Sequence, residues 1–411
     1  MSHSEKDFQS VPAHLVIEAA EDGAPLALRD IRLLVRGQGT LGFAIAEKSA
    51  FTVAIRNDGW GAPEFRWDIG FDGVALSEHR NGEWHPLDLD EKAGAGLDPE
   101  PECQYWFSFD AINRALRYGK GEMRLGCELA HYRLPDAAHG QPDPYAWLQE
   151  AQFVAISAAV RGDVDLWRDP VTVEPPLLVI PHDRITMEDI AYGKVTVPAN
   201  LTPTCQILYD NVAGENFRLD TPDFPQFAQA IKESIADPDG WCHQTLAAKA
   251  SEFGTPDPDK TYLRITLGQN QGDSPGVPFV MEIWPVGHYS PIHDHGGADA
   301  VIKVFHGEIT VEMYPMLSNQ HRTPFATAVF SKDDVTWISP RLNQVHRLIN
   351  RGTEEPCITI QCYMYAETNT THWPYFDYLE DNGIGLFAPN SDADFLEFKA
   401  MMKAEWDKRH P

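Results

Sequence analysis

No apolar run in this 411-residue chain approaches the length needed to cross a bilayer, so no spanning helix is expected. The opening MSHSEKDFQS is polar and has no apolar core, so no secretory leader is read there. Basic charge is scarce: 33 Lys and Arg stand against 61 Asp and Glu, a net charge of −28. Nucleic acid and anionic membrane surfaces repel such a chain, and neither is expected as a partner. Cysteine is sparse as well. Cys103, Cys127, Cys205, Cys242, Cys357 and Cys362 are scattered, with no Cys-x-x-Cys spacing. That excludes a zinc knuckle and a disulfide framework, and makes a reducing, cytoplasmic setting the expectation.

At this length one core is not enough, so two or three domains are expected. Residues 12–165 show no long helical period and read as strands. Phe51, Val53 and Ile55 alternate along one run, as do Ile31, Leu33 and Val35, and Asn57-Asp58-Gly59 supplies a turn. WFSFD at 106–110 and QFVAISAAV at 152–160 extend the pattern. The prediction is an antiparallel β-sandwich over 1–165, with no role legible in it. Within it, Arg114, Arg117, Lys120 and Arg124 cluster in an otherwise acidic chain. A small anion site on a loop is one reading; a solvated hairpin tip is the other, and charge runs usually behave as the second.

Residues 166–220 are rich in proline but also in Leu, Val and Ile, which predicts a packed connector rather than a flexible linker. From 221 to 411 helices and strands mix. Thr221-Pro222 is a helix start, followed by Phe224, Phe227, Ala228, Ile231 and Ile235 on one face, and a second short helix is read from Trp241 to Phe253. Strands are predicted at 261–267, 277–284, 299–314, 327–339, 346–350 and 357–365, with a last helix capped at Ser391–Asp394.

The densest chemistry lies between Gly287 and Gly307. His293-Asp294-His295 places two imidazoles one residue apart, and in an extended segment both point to one face. A third candidate, His346, sits on a strand-like run and is followed by Asn350. Three neutral imidazoles on strands make a first-row transition-metal site. The order Gly287-x5-His293-x-His295, a strand, Gly307, then His346-x3-Asn350 resembles the two-part signature of the cupin barrels. The fold expected is therefore mainly β: a cupin (double-stranded β-helix) barrel with short flanking helices, preceded by the sandwich. Many cupins add a glutamate four or five residues after the second histidine; here those positions hold Asp299 and Ala300. The resemblance places the slot at Ala300, and strand alternation turns Asp299 away. A three-histidine site without a carboxylate is expected.

Two short helices followed by such a barrel resemble the cysteine dioxygenase family of thiol dioxygenases, over about residues 220–380. Arg264, two after Tyr262, matches that family's carboxylate-binding arginine. Trp284 matches its tryptophan upstream of the metal motif, and Tyr363 its active-site tyrosine. Three departures stand out. The family's Ser-x-His-x-Tyr is here Thr359-x-Gln361-x-Tyr363. The cysteine that animal members crosslink to the tyrosine is Ala300, as it is absent from bacterial members. Glu282 occupies an otherwise apolar position. The resemblance implies an Fe(2+) site, with O2 and a small carboxylate-bearing thiol (cysteine or a related one) as partners, the thiol becoming a sulfinate. Arg264, Tyr262, Trp284 and Glu282 would line the substrate, and Tyr363, Gln361 and Thr359 would stand at the chemistry. Two other readings stay open: a Zn(II) hydrolase or lyase, and a non-catalytic metal- or ligand-binding protein.

Overall fold

The computed structural model describes residues 12–18, 26–45, 49–56, 63–98, 103–160, 163–267, 279–365, 375–381 and 383–411. The chain divides into two compact units, Met1–Glu174 and Pro175–Pro411. The expected turn at 57–59 falls outside the described residues.

The first unit is an antiparallel sandwich of a seven-stranded and a six-stranded sheet. Its strands form because apolar residues recur every second position. In Glu64–Gly70, Phe65, Trp67 and Ile69 are buried while Glu64, Arg66 and Asp68 lie half-exposed. Aromatic rings fill the space between the sheets: Phe43 of one meets Phe51 of the other at 5.3 Å, and Phe107 lies 6.0 Å from Trp67 across the same gap. The strand expected through Val35 stops at Arg32, and Val35 is exposed on a turn.

The Arg114–Arg124 segment is neither a free anion site nor a solvated tip. Arg114 alone sits on the turn, at φ +54°, and Ala115–Lys120 is a strand. Lys120 and Arg124 are buried. Each cation has an acidic partner: Arg114 with Asp143 at 2.7 Å, Arg117 with Glu128 at 2.9 Å, Lys120 with Asp98 at 3.9 Å, and Arg124 with Glu122 at 3.2 Å and with Glu174. Tertiary pairing, invisible in the spacing, absorbed the charge. The strand Val164–Asp169 also belongs to this unit, so the proline-rich stretch from 166 is shared between the two units.

The second unit is a double-stranded β-helix built from β1 (Leu263–Leu267), β2 (Phe279–Trp284), β3 (Asp299–His306), β4 (Glu308–Met313), β5 (Ala326–Ser331), β6 (Val335–Ile338), β7 (His346–Ile349) and β8 (Cys357–Met364). One sheet carries the order β6-β3-β8-β2-β1, the other β5-β4-β7. β3 turns into β4 at Gly307, where φ is +67° and an added Cβ would meet the Pro356 carbonyl oxygen at 2.5 Å, so only glycine fits. Helices α1 (Pro203–Val212), α2 (Phe227–Ala236), α3 (Trp241–Ala248) and α4 (Phe395–Arg409) flank the larger sheet.

That sheet is buried on both sides. Every residue of β8 is buried, so its sequence, CITIQCYM, shows no amphipathic alternation. Period two still sorts it. Leu263, Ile265, Met281, Ile283, Ile358 and Ile360 pack with the helices. Their strand neighbours Arg264, Glu282, Thr359, Gln361 and Tyr363 share the opposite face, the barrel interior.

Candidate metal centre

His293 and His295 do not lie in a regular strand. His293 forms an isolated antiparallel bridge with His346, its amide donating to the His346 carbonyl at 3.0 Å and the reverse bond at 3.1 Å. This backbone clamp joins the two halves of the motif. Behind His295 the chain turns at Gly296 and Gly297, both at positive φ. Gln344, just before His346, pins that turn: its side chain accepts from the Gly297 amide at 2.9 Å and donates to the Ala298 carbonyl at 2.8 Å. Asn350 braces the other end by donating to the Trp284 carbonyl at 2.9 Å.

The three rings form a nearly equilateral triangle, with centroid separations of 4.9, 4.7 and 4.8 Å. Their ligand atoms all lie within 4.8 Å of one another, and the Nε2 atoms of His295 and His346 are 3.2 Å apart. All three residues are buried. Burial lowers the pKa of His293 to about 4 and of His346 to about 3, and holds His295 well below its ordinary value. The rings are therefore neutral at pH 7 and keep their lone pairs. Nδ1 of His293 lies 3.0 Å from the Pro291 carbonyl, and Nδ1 of His346 lies 3.2 Å from that of Asn343. Those contacts require Nδ1–H and turn each Nε2 lone pair inward, the outer-shell arrangement that metal-bound histidines use. Nδ1 of His295 has no hydrogen-bond partner among the described residues. A divalent metal fits this donor set.

Asp299 is not part of it. It lies on the helix side of β3, accepting from the Thr202 hydroxyl at 2.9 Å and the Cys205 thiol at 3.3 Å. Ala300 stands opposite Tyr363 in register, so the tyrosine has no thiol beside it on that strand.

Beside the histidines lies a cavity of about 50 Å³, lined by Tyr262, Arg264, Glu282, Trp284, Gln361 and Tyr363 together with apolar side chains. Trp284 stacks on Tyr262 at 4.3 Å, and Tyr363 stacks on His295 at 5.7 Å. A chain of polar contacts crosses the floor. Tyr363 donates to the Gln361 carbonyl oxygen, the Gln361 amide donates to Glu282, and Glu282 pairs with Arg264 at 3.5 Å. Burial pushes Glu282 up to about 7 against the pull of Arg264 and Gln361. Thr359, buried opposite Glu282 in register, leaves its hydroxyl without a partner, as does the Trp284 indole N–H, among the described residues.

Sequence reasoning missed the hairpin Phe376–Glu380 with Gly383–Phe387. Its first strand runs beside the metal segment, with the Leu379 amide bonding the Ile292 carbonyl and the Asp294 amide the Asp377 carbonyl. Phe376 packs 5.1 Å from His295 and Phe387 6.3 Å from His293. The signal was there: FDYLE and GIGLF are separated by Asp-Asn, turn-forming residues followed at once by a glycine.

No protein-family model matches the chain. Solved structures similar to part of it include an oxalate oxidase bound to the substrate analogue glycolate, 16% identical over 29% of this chain and 56% of that one, with a TM-score of 0.23. This chain thus spans just over half of that enzyme. A cupin domain of an XRE-family transcriptional regulator from Enterobacter cloacae is 12% identical over 26% of this chain and 98% of that one, TM-score 0.21. A cupin superfamily protein from Desulfitobacterium hafniense is 13% identical over 26% and 81%, TM-score 0.20. Such likeness carries no argument about activity. By its strand order and facing sheets the second unit is a cupin-type double-stranded β-helix, and it holds a three-histidine cluster suited to a metal.

Proposed function

We propose that the second unit is an Fe(II)-dependent dioxygenase that converts a small thiol to its sulfinate. One observation carries the reading: three buried, neutral imidazoles without a carboxylate converge beside a cavity that also holds Arg264 and Tyr363. His293, His295 and His346 would hold the ion, which when bound supplies Lewis acidity toward the thiol and an electron source for O2. The overall reaction balances: sulfur loses four electrons, O2 gains them, both oxygen atoms end on sulfur, and the thiol proton is released.

The chain's own residues set the rest. Burial keeps the Tyr363 hydroxyl protonated well beyond neutral pH, so it remains a donor. Stacking on His295 holds the ring, and Gln361 holds the hydroxyl. Apolar side chains such as Phe376 and Phe387 keep water from the histidines. Arg264 is engaged by Glu282, and Glu282 by Gln361. A substrate carboxylate would have to displace an internal one. The favoured substrate is therefore a thiol that brings no free carboxylate, which makes cysteine a poor one.

The test is O2 uptake after anaerobic iron loading, across thiols with and without carboxylates. Sulfinate carrying two atoms from isotopically labelled O2 is the expected product. Turnover that needs zinc and ignores O2 would replace this reading with the hydrolytic one. Iron-loaded protein that consumes no O2 with any thiol would leave a binding protein.

A further inference from the structure

A second cavity, of about 740 Å³, lies in the same unit on the helix side of β3. It is much larger than the space at the histidines. Its walls come from residues 179–184, the end of α1, the loop at 215–220 and the β5–β6 turn. Strand alternation separates the two spaces: Ile302 and Val304 line the metal cavity, and Lys303 between them lines the other.

Lys303 is the odd residue here. It is 9% exposed, yet among the described residues its ammonium makes one hydrogen bond, 3.3 Å to the Val212 carbonyl. No ion pair joins it to a carboxylate among the described residues. A buried ammonium with one weak partner is costly, and lysines are buried unpaired only rarely. Arg184, Arg218 and Lys332 stand on the exposed rim, also without ion pairs among the described residues. Four carboxylates line the cavity too, but two are committed: Asp220 accepts from the Ala228 amide at 3.0 Å and Asp334 from the Ser331 amide at 2.7 Å. Glu215 and Asp333 are exposed; the charge of Asp333 reaches Lys303, but the two make no ion pair. Aromatic surface completes the wall, with Phe217 packed 5.6 Å from Phe305 and the Lys303 ammonium 5.8 Å from the Phe305 ring.

We propose that this cavity binds a small organic anion with an apolar or aromatic body, its anionic group on Lys303 and its body against Phe217, Phe305 and Tyr209. The volume suits a ligand of ordinary metabolite size. The anion gives Lys303 a contacting counter-charge, the rim cations draw it in, and a charge-assisted bond fixes it. This site is independent of the metal and of the proposed oxidation.

The probe is 8-anilinonaphthalene-1-sulfonate, an aromatic sulfonate, titrated by fluorescence against the full chain and displaced by octanoate. One saturable site per chain is expected, with the uncharged N-phenyl-1-naphthylamine bound at least about tenfold more weakly, the scale of one charge-assisted hydrogen bond. Lys303→Met keeps the stem and should weaken the sulfonate by a similar factor while leaving metal content unchanged. Arg218→Ala, on the exposed rim, cannot disturb the core and should weaken it a few-fold, so the idea stays testable if Lys303→Met does not fold. Equal binding of the charged and neutral probes, or sulfonate affinity unchanged by both substitutions, overturns the proposal.

Discussion

In the first unit, Arg114 meets Asp143 at 2.7 Å and Arg124 meets Glu122 at 3.2 Å; in the second, Arg264 stands 3.5 Å from Glu282. The two kinds of pair behave differently. Arg114 and the Tyr145 amide hold Asp143 below the usual carboxylate range. Glu282 goes the other way, up to about 7, because burial outweighs its partners. The first set is satisfied charge that ties strands and loops together. The second is a carboxylate poised between two states, beside a cavity and the triangle of three histidines. A cation cluster conspicuous in sequence proved structural, whereas a single Glu and a single Arg, eighteen residues apart, make the charged part of the site.

The contrast can be broken or sharpened. The largest effect is expected at the metal. His293→Ala or His346→Ala should abolish iron binding measured by metal analysis, while Asp299→Ala should keep most of it. Loss of metal in Asp299→Ala as complete as in the histidine variants would overturn the three-histidine assignment. Arg124→Met comes next. It removes the cation paired with Glu122 and Glu174 in the first unit, and breaking a buried pair costs about 3 kcal/mol. Denaturant unfolding should show that loss with iron content unaltered, and an unchanged midpoint would mean the pair is not structural. A chain truncated to begin at Pro175 should likewise still bind iron.

Tyr363→Phe should lower turnover about ten- to a hundredfold, the scale of one lost catalytic donor, with little change in iron. Undiminished turnover would remove the hydroxyl from the chemistry. Glu282→Gln frees Arg264, so kcat/KM for cysteine should rise about tenfold relative to cysteamine, its carboxylate-free counterpart. The same ratio staying flat would mean Glu282 does not govern substrate charge. The smallest effect is on pH. Below about 7 Glu282 is protonated and leaves Arg264 uncompensated; above it the carboxylate ionises and neutralises the arginine. Preference for cysteine should therefore grow a few-fold as pH falls through 7 in the wild type and not in Glu282→Gln. A pH-independent ratio would decouple the pair from binding.

Much of the barrel was legible because strands with turn glycines leave a periodic trace, and because His293, His295 and His346 keep a distinctive spacing. Glu282 was legible as an intruder: in an extended strand it must share a face with Trp284. What hid was non-local. The Phe376–Phe387 hairpin lies far along the chain from the histidines it covers, and Gln344 acts only through the turn it pins. Lys303 looked like one more charge on a strand until the packing of α1 and its following loop buried it.

By itself the sequence determined the β character of both units and the exclusion of Asp299, which follow from period-two alternation, and singled out the three imidazoles by the spacing of their two motifs. Only the tertiary structure decided which charges meet. Arg124 with Glu174, Arg264 with Glu282, and Glu282 with Gln361 are pairings between separate strands and loops. Register and burial, not composition, set whether such a pair is a quiet strut or an acid held near pH 7.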